Sequence, residues 1–205
     1  MRTLFWVILG LLWLAAGAFG LVGVTAYEAT PSGAGVSGPR WPAASALARN
    51  STGPTLLLFA HPHCPCTRAT LAELDRVLTH STLRPRLYVL FVRPPGVAAG
   101  WEHTDLWQTA AALPGVTVLA DEAGQEARRF GAVASGHAVL YDEAGKLVFS
   151  GGITAARGHE GDSLGADELL AALGASQQMA HSAPTRPASP ARAPVFGCSL
   201  LTSEY

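Results

Sequence analysis

Thr55 to His80 reads TLLLFAHPHCPCTRATLAELDRVLTH. Its first six residues, Thr55–Ala60, are a short apolar run suited to a buried strand. From Thr67 to His80 the pattern changes to that of an amphipathic helix: Leu71, Leu74, Val77 and Leu78 fall at i, i+3, i+6 and i+7 and make a core stripe. Between strand and helix lies HPHCPC, with Cys64 and Cys66 on either side of Pro65. A cysteine at this corner meets the N-terminus of the helix, where unpaired N–H groups and the dipole favour an anion. That lowers a thiol pKa and makes thiolate, the reactive species. A disulfide across a single residue closes a small, strained ring, and strain makes such a bond labile. Two other readings of the same residues stand beside this one. The thiols are also small apolar core groups. His61, His63, Cys64 and Cys66 also offer soft or borderline ligands to copper(I) or zinc. No second tight cluster completes a closed structural site, and neither a metal nor another cofactor is assigned.

Working outward, Arg86–Val92 is the next strand and Arg93–Gly100 a Pro/Gly turn. Glu102–Leu113 is a helix stopped by Pro114-Gly115, Val116–Ala120 a strand, and Gln125–Phe130 one or two helical turns. His137–Tyr141 and Lys146–Ser150 are strands joined by Asp142-Glu143-Ala144-Gly145, a hairpin signal. Asp167–Leu173 opens a final helix, and Ala43–Asn50 is expected as a short helix before the first strand. The order β-α-β-α-β-α-β-β-α predicts an α/β fold, a mixed central sheet with helices on both faces. Glu73 and Asp75 read as exposed face charges.

The ends differ from this middle. Leu4 to Tyr27 carries no charge and exceeds the ~20 apolar residues a membrane-crossing helix needs. We expect a signal-anchor over residues 1–27, crossing the inner membrane through residues 4–26. Val24-Thr25-Ala26 is a candidate cleavage site should it instead be a signal peptide. Arg2 on the short side favours a cytoplasmic N-terminus, which places the rest in the periplasm. Residues 28–42 read as a Gly/Pro/Ser linker, 43–175 as the folded domain, and 176–205 as a Pro/Ala-rich tail. Regular structure is expected to stop at about residue 175, and Trp41 to mark where packing begins. The tail turns apolar again at PVFGCSL, Pro194 to Leu200, which suggests that it docks back.

Composition narrows the function. Of 205 residues, 49% are hydrophobic and only 14% charged, against ~25% in an ordinary soluble domain, so a disordered chain is excluded. Lys+Arg is 14 and Asp+Glu 15, leaving no basic surplus for a nucleic-acid partner. Three cysteines are too few for a disulfide-stapled miniprotein.

Over residues 43–175 the strand order and the loop resemble the thioredoxin-like superfamily. The likeness is to its membrane-anchored, periplasm-facing branch, the cytochrome c-maturation thioredoxins. Their Trp-Cys-X-X-Cys loop runs into Arg-Ala-X-X-X-Glu-Leu. Here His63-Cys64-Pro65-Cys66-Thr67 runs into Arg68-Ala69 and then Glu73-Leu74. Together with GGIT, RGHEGD and a terminal FGC, this looks like the proteins labelled RedB. The resemblance puts Cys64 at the family's nucleophile, Thr67 where the resolving cysteine should be, and Cys66 one residue early. It also calls for a cis-proline before the fourth strand. Ala134-Ser135-Gly136-His137 has none, so Gly136 takes that position and His137 follows it. Cys64-X-X-Thr67 is also similar to thiol peroxidases of the glutathione-peroxidase type, in which one thiolate attacks peroxide and a second cysteine resolves it.

Several roles follow as expectations. Cys64, Cys66, Cys198 and His137 are candidate catalytic residues, supported by His63, Pro65, Thr67, Arg68, Gly136, Arg157 and His159. His137 would serve as base or hydrogen-bond partner to a thiol, its ordinary pKa near ~6.5 suiting proton exchange; a satisfied core histidine is the other reading. Arg157 and His159 either fold over the cysteines or sit in a solvated connector. Arg68 either adds positive charge at the loop or forms a surface ion pair. Cys198 would be a third redox thiol. The expected activity is thiol–disulfide exchange with protein thiols or disulfides of the periplasm. A thiol peroxidase and a copper-binding metallochaperone are the alternatives.

Overall fold

The computed structural model describes residues 2–33, 35–179 and 189–201, and the chain divides into two units after Thr30. The first unit is a single helix, α1 (Arg2–Ala29), with no charge between Arg2 and Glu28. At ~1.5 Å per residue its 28 residues extend about 42 Å, against the ~30 Å of a hydrocarbon core. It is long and apolar enough to cross a membrane.

The second unit contains β1 (Thr55–Ala60), α2 (Cys66–His80), β2 (Arg86–Arg93), α3 (Asp105–Ala111) and β3 (Val116–Glu122). It continues with α4 (Gln125–Arg129), β4 (His137–Tyr141), β5 (Leu147–Gly151), α5 (Leu164–Met179) and β6 (Ala191–Arg192). The sheet order is β3-β2-β1-β4-β5-β6. β1, β2 and β3 run parallel, β4 lies antiparallel to β1 and β5, and β6 adds parallel to β5. Every residue of β1 is buried, which is why its sequence shows no polar alternation: both faces of the strand are covered. Leu56, Leu58 and Ala60 pack with Leu71 and Leu74 of α2, Leu106 of α3 and Leu169 of α5. Leu57 and Phe59 face the other way, onto Phe130, Tyr141 and Leu200, with Trp41 and Leu47 against them. Each such fully buried leucine or phenylalanine stabilises the fold by ~1.5–3 kcal/mol. The architecture is thioredoxin-like, as the resemblance implied.

Several local expectations are corrected. Ala43–Asn50 is not helical, because tertiary contacts take its backbone groups. The buried Glu126 carboxylate accepts from the Ala46 N–H and the Ser45 hydroxyl, and the Asn50 N–H goes to Thr55. The helix expected from Glu102 begins at Asp105. Glu102 is itself buried and ion-paired to Arg93, and the chain turns tightly through His103. The last helix starts at Leu164 and reaches Met179. Ser163 caps it by accepting from the Ala166 N–H, and its Ala/Ser/Gln run meets no proline before Pro184. Residues 180–188 of the expected tail lie outside the described residues.

The stretch read as a linker is not a free tether from Ser32 onward. The Ser32 hydroxyl bonds the Gly197 carbonyl, Ser37 is buried against Ser150, and Arg40 bridges to Lys146. Packing therefore begins before Trp41, which stacks edge-on against Phe130 and Tyr141 at 4.9 and 5.4 Å. Glu73 is also not a face charge. It is buried, pairs with Arg76 and accepts from the Gly161 N–H, while Asp75 is exposed as expected.

Candidate functional site

The site forms where β1 leaves the sheet. The His61 N–H donates to the Ser135 hydroxyl at 2.9 Å, and the Cys64 N–H to the His61 carbonyl at 3.2 Å, which turns the chain back toward the helix. Pro65 occupies the helix N-cap with φ −61°; its missing N–H costs nothing there, since the first amides of a helix have no partner within it. The Thr67 hydroxyl closes the loop by donating to the His61 carbonyl at 3.0 Å, and lies 2.8 Å from the Ser135 hydroxyl. Thr67 therefore directs its hydroxyl to oxygen partners, and its Cys64-X-X-Thr spacing makes no hydrogen bond to sulfur. The loop's outer side is aromatic. The His63 ring lies on Trp101 at 4.3 Å with Nε2 3.1 Å from its carbonyl, and the buried His61 meets the same indole edge-on at 5.4 Å.

A second segment is laid across this corner. The Ser135 N–H donates to the Cys198 carbonyl at 2.8 Å, Ala134 bridges to Ser199, and the Leu200 N–H donates to the Val133 carbonyl at 3.0 Å. On the other side the Gly197 N–H donates to the Ser32 hydroxyl at 2.9 Å, and the Arg157 guanidinium donates to the Gly197 carbonyl. Gly197 has to be glycine: a Cβ there would lie 1.9 Å from the Ser135 carbonyl oxygen. The tail thus docks back, as the apolar PVFGCSL run suggested.

This docking gathers three sulfurs. Cys64, Cys66 and Cys198 have Sγ atoms within 4.8 Å of one another, and Cys64 Sγ to Cys198 Sγ is 2.7 Å. Cys64 is fully buried; Cys66 and Cys198 retain 8% and 9% exposure. Hydrogen bonding from the Cys198 thiol, and then from Cys66, holds the Cys64 pKa far below the ordinary thiol range. Cys66 is pushed up, first by its hydrogen bonds to Cys198 and Cys64 and then by burial. These opposed directions favour Cys64 as the sulfur that carries negative charge.

The other expected residues fall into place unevenly. Gly136 does stand before β4 and against α2, with φ +86° and the position of a Cβ 3.0 Å from the Thr70 hydroxyl. His137 follows it, but its Nε2 is 2.9 Å from the Ser150 hydroxyl and its Nδ1 has no hydrogen-bond partner among the described residues. Its ring makes no hydrogen bond to a thiol. Burial, then the positive charge of Arg192, hold its pKa down at about 4. Arg68 forms the surface ion pair, with Asp105. Arg157 reaches the tail at Gly197, next to Cys198, whereas His159 is exposed. The histidines of the alternative metal reading are occupied otherwise: the His61 Nδ1 accepts from the His63 N–H at 3.2 Å, and among the described residues the group that can hold an ion is the three cysteines. Sequence reasoning missed Ser135, which joins loop to tail, and Trp101, which lies under both histidines. Ser135 was readable only as the absence of a proline, and Trp101 stood between the Pro/Gly turn and the helix expected from Glu102, in neither pattern.

No protein-family model and no curated protein matches the chain. Solved structures do. An uncharacterised conserved protein from Geobacillus kaustophilus superposes with a TM-score of 0.58 at 18% identity, covering 87% of this chain and 96% of its own. A hypothetical protein from Sinorhizobium meliloti gives 0.58 at 21% identity, covering 85% and 99%. A secreted disulfide oxidoreductase of Mycobacterium tuberculosis matches more loosely, with a TM-score of 0.43 at 19% identity over 60% of this chain and 82% of its own. At these identities the likeness concerns the fold.

Proposed function

We propose that the protein is a thiol–disulfide oxidoreductase in which Cys64, in its Cys-Pro-Cys motif, is the attacking thiol. The observation that carries this reading is the sulfur cluster: a thiolate-favouring cysteine at the start of α2 with two further thiols within 4.8 Å. Cys64 attacks one sulfur of a partner's disulfide, forms a mixed disulfide and expels the other sulfur as thiolate. A neighbouring thiol then attacks Cys64, and the partner leaves with both its sulfurs reduced. Run backwards, the same steps oxidise a dithiol. Partners are protein thiols or disulfides of the periplasm, and α1 is the inner-membrane tether. The apolar α1 and the sequence resemblance to membrane-anchored, periplasm-facing thioredoxins and RedB-labelled proteins support that setting, where disulfides persist. The test is reaction of the reduced full-length chain with a small aromatic disulfide. Two thiols lost per chain, and none of that reaction in Cys64→Ser, is the expected result; equal rates for both proteins would overturn it.

A copper-binding role is the second reading, favoured by the same three sulfurs, since thiolates suit copper(I). It puts Cys198 in place of the histidine ligands that the alternative metal reading offered. Titration of the reduced chain with copper(I) against a competing chelator tests it: stoichiometric uptake supports the role, and none removes it.

A further inference from the structure

Resting on the exchange reading above, the geometry points to Cys198, rather than Cys66, as the thiol that resolves Cys64, so that the redox-active disulfide is Cys64–Cys198. We infer this from how the tail is built. Cys198 Sγ stands 2.7 Å from Cys64 Sγ, and its backbone is fixed on both sides without help from sulfur. Ser135 holds the Cys198 carbonyl, Ser32 and Arg157 hold Gly197, and Val133 holds the amide of the fully buried Leu200. Upstream, β6 joins the sheet beside β5, and the Gly152 N–H donates to the Pro194 carbonyl. A thiol positioned this way attacks its neighbour as an intramolecular group, with the orientation already set. Cys66 is placed differently. It lies in the first turn of α2, where its carbonyl accepts from the Thr70 hydroxyl, and a bond to Cys64 closes the small ring across Pro65.

The step balances as follows. In the mixed disulfide, Cys64 Sγ is bonded to a partner sulfur. The Cys198 thiolate attacks Cys64 Sγ, the Cys64–partner bond breaks, and the Cys64–Cys198 bond forms. The partner sulfur departs with the electron pair and takes up a proton. Two electrons have passed from the Cys64/Cys198 pair to the partner's disulfide; the Cys198 proton ends on one of the partner's thiols, and solvent protonates the other. Because Cys64 is fully covered while Cys198 sits over it, the segment from Pro194 to Leu200 lifts for partner entry and returns to complete the reaction.

The experiment uses the full-length chain in detergent, equilibrated with glutathione and glutathione disulfide at fixed ratios, alkylated and digested with trypsin. Cys64 and Cys66 share the peptide from residue 50 to 68, and Cys198 lies on the peptide from residue 193 to 205. We expect these two peptides cross-linked in the native chain and in Cys66→Ser, and not in Cys64→Ser or Cys198→Ser. After addition of a small aromatic disulfide, the mixed disulfide should persist at least tenfold longer in Cys198→Ser than in the native chain, whereas in Cys66→Ser it should still resolve into the Cys64–Cys198 link. An internal link within the first peptide, with Cys198 alkylated, overturns the inference and leaves the exchange reading standing. Three alkylated cysteines at every ratio overturn both.

Discussion

His137 is buried on β4 against the Ser150 hydroxyl, which in turn meets Ser37, and Arg192 on β6 is the charge that acts on it. The fold accepts this ring only as the neutral form. An unfolded histidine takes a proton near pH ~6.5, whereas here the pKa is about 4. Between those values the unfolded chain binds a proton that the folded chain refuses, so stability is complete above the upper value and falls as pH drops through the window. The largest loss from this group is about 3 kcal/mol. Urea unfolding at pH 7 and pH 4.5 should show the drop, and His137→Gln should flatten it; an unchanged acid limb in that variant would contradict the assignment. Ser135 gives a second prediction. Its hydroxyl accepts the His61 N–H and contacts Thr67, all buried. Ser135→Ala strands that amide and should cost ~1–3 kcal/mol in urea unfolding. No measurable change would mean that the loop finds another acceptor.

At the scale of elements, the strap from Pro194 to Leu200 governs access to the cysteines. Gly197→Ala would put a methyl 1.9 Å from the Ser135 carbonyl oxygen, so the strap has to shift. We expect Cys64 to be alkylated at least tenfold faster in the reduced variant, while a native rate would show that the strap does not guard it. Leu200→Ala removes a fully buried side chain that packs with Phe59, Phe130 and Tyr141 and should cost ~2–5 kcal/mol. The central elements were legible because their signals are local. Thr55–Ala60 and Thr67–His80 announce strand and helix by period, and Asp142–Gly145 announces the hairpin. What failed were segments ruled by distant partners. Ala43–Asn50 has helical composition, but Glu126 takes its hydrogen bonds. Ser32–Arg40 has linker composition and is fixed by Gly197, Ser150 and Lys146. In the site, Cys64 and Cys66 were readable from one motif. The arrival of Cys198 was suggested by apolar residues after a Pro-rich run, but not its choice of Cys64, which depends on Ser135 and Arg157 holding its neighbours.

At the scale of the molecule, the chain is an apolar helix joined to a thioredoxin-like unit, and each half makes its own prediction. The full chain should float with phospholipid vesicles in a density gradient, and a chain beginning at Pro31 should stay in the dense fraction; flotation of both would remove α1 as the tether. The folded unit carries the central claim, that the sulfur cluster is a reversible two-electron couple. The most direct measurement is its redox equilibrium: trap the thiols of the full chain in detergent across a range of glutathione ratios, and count them by mass. Two thiols should disappear together at one midpoint, reversibly, and Cys64→Ser should abolish the transition. A midpoint near ~−270 mV would mark a reductant, and one near ~−120 mV an oxidant. Three thiols persisting at every ratio would show that the cluster is not a redox couple.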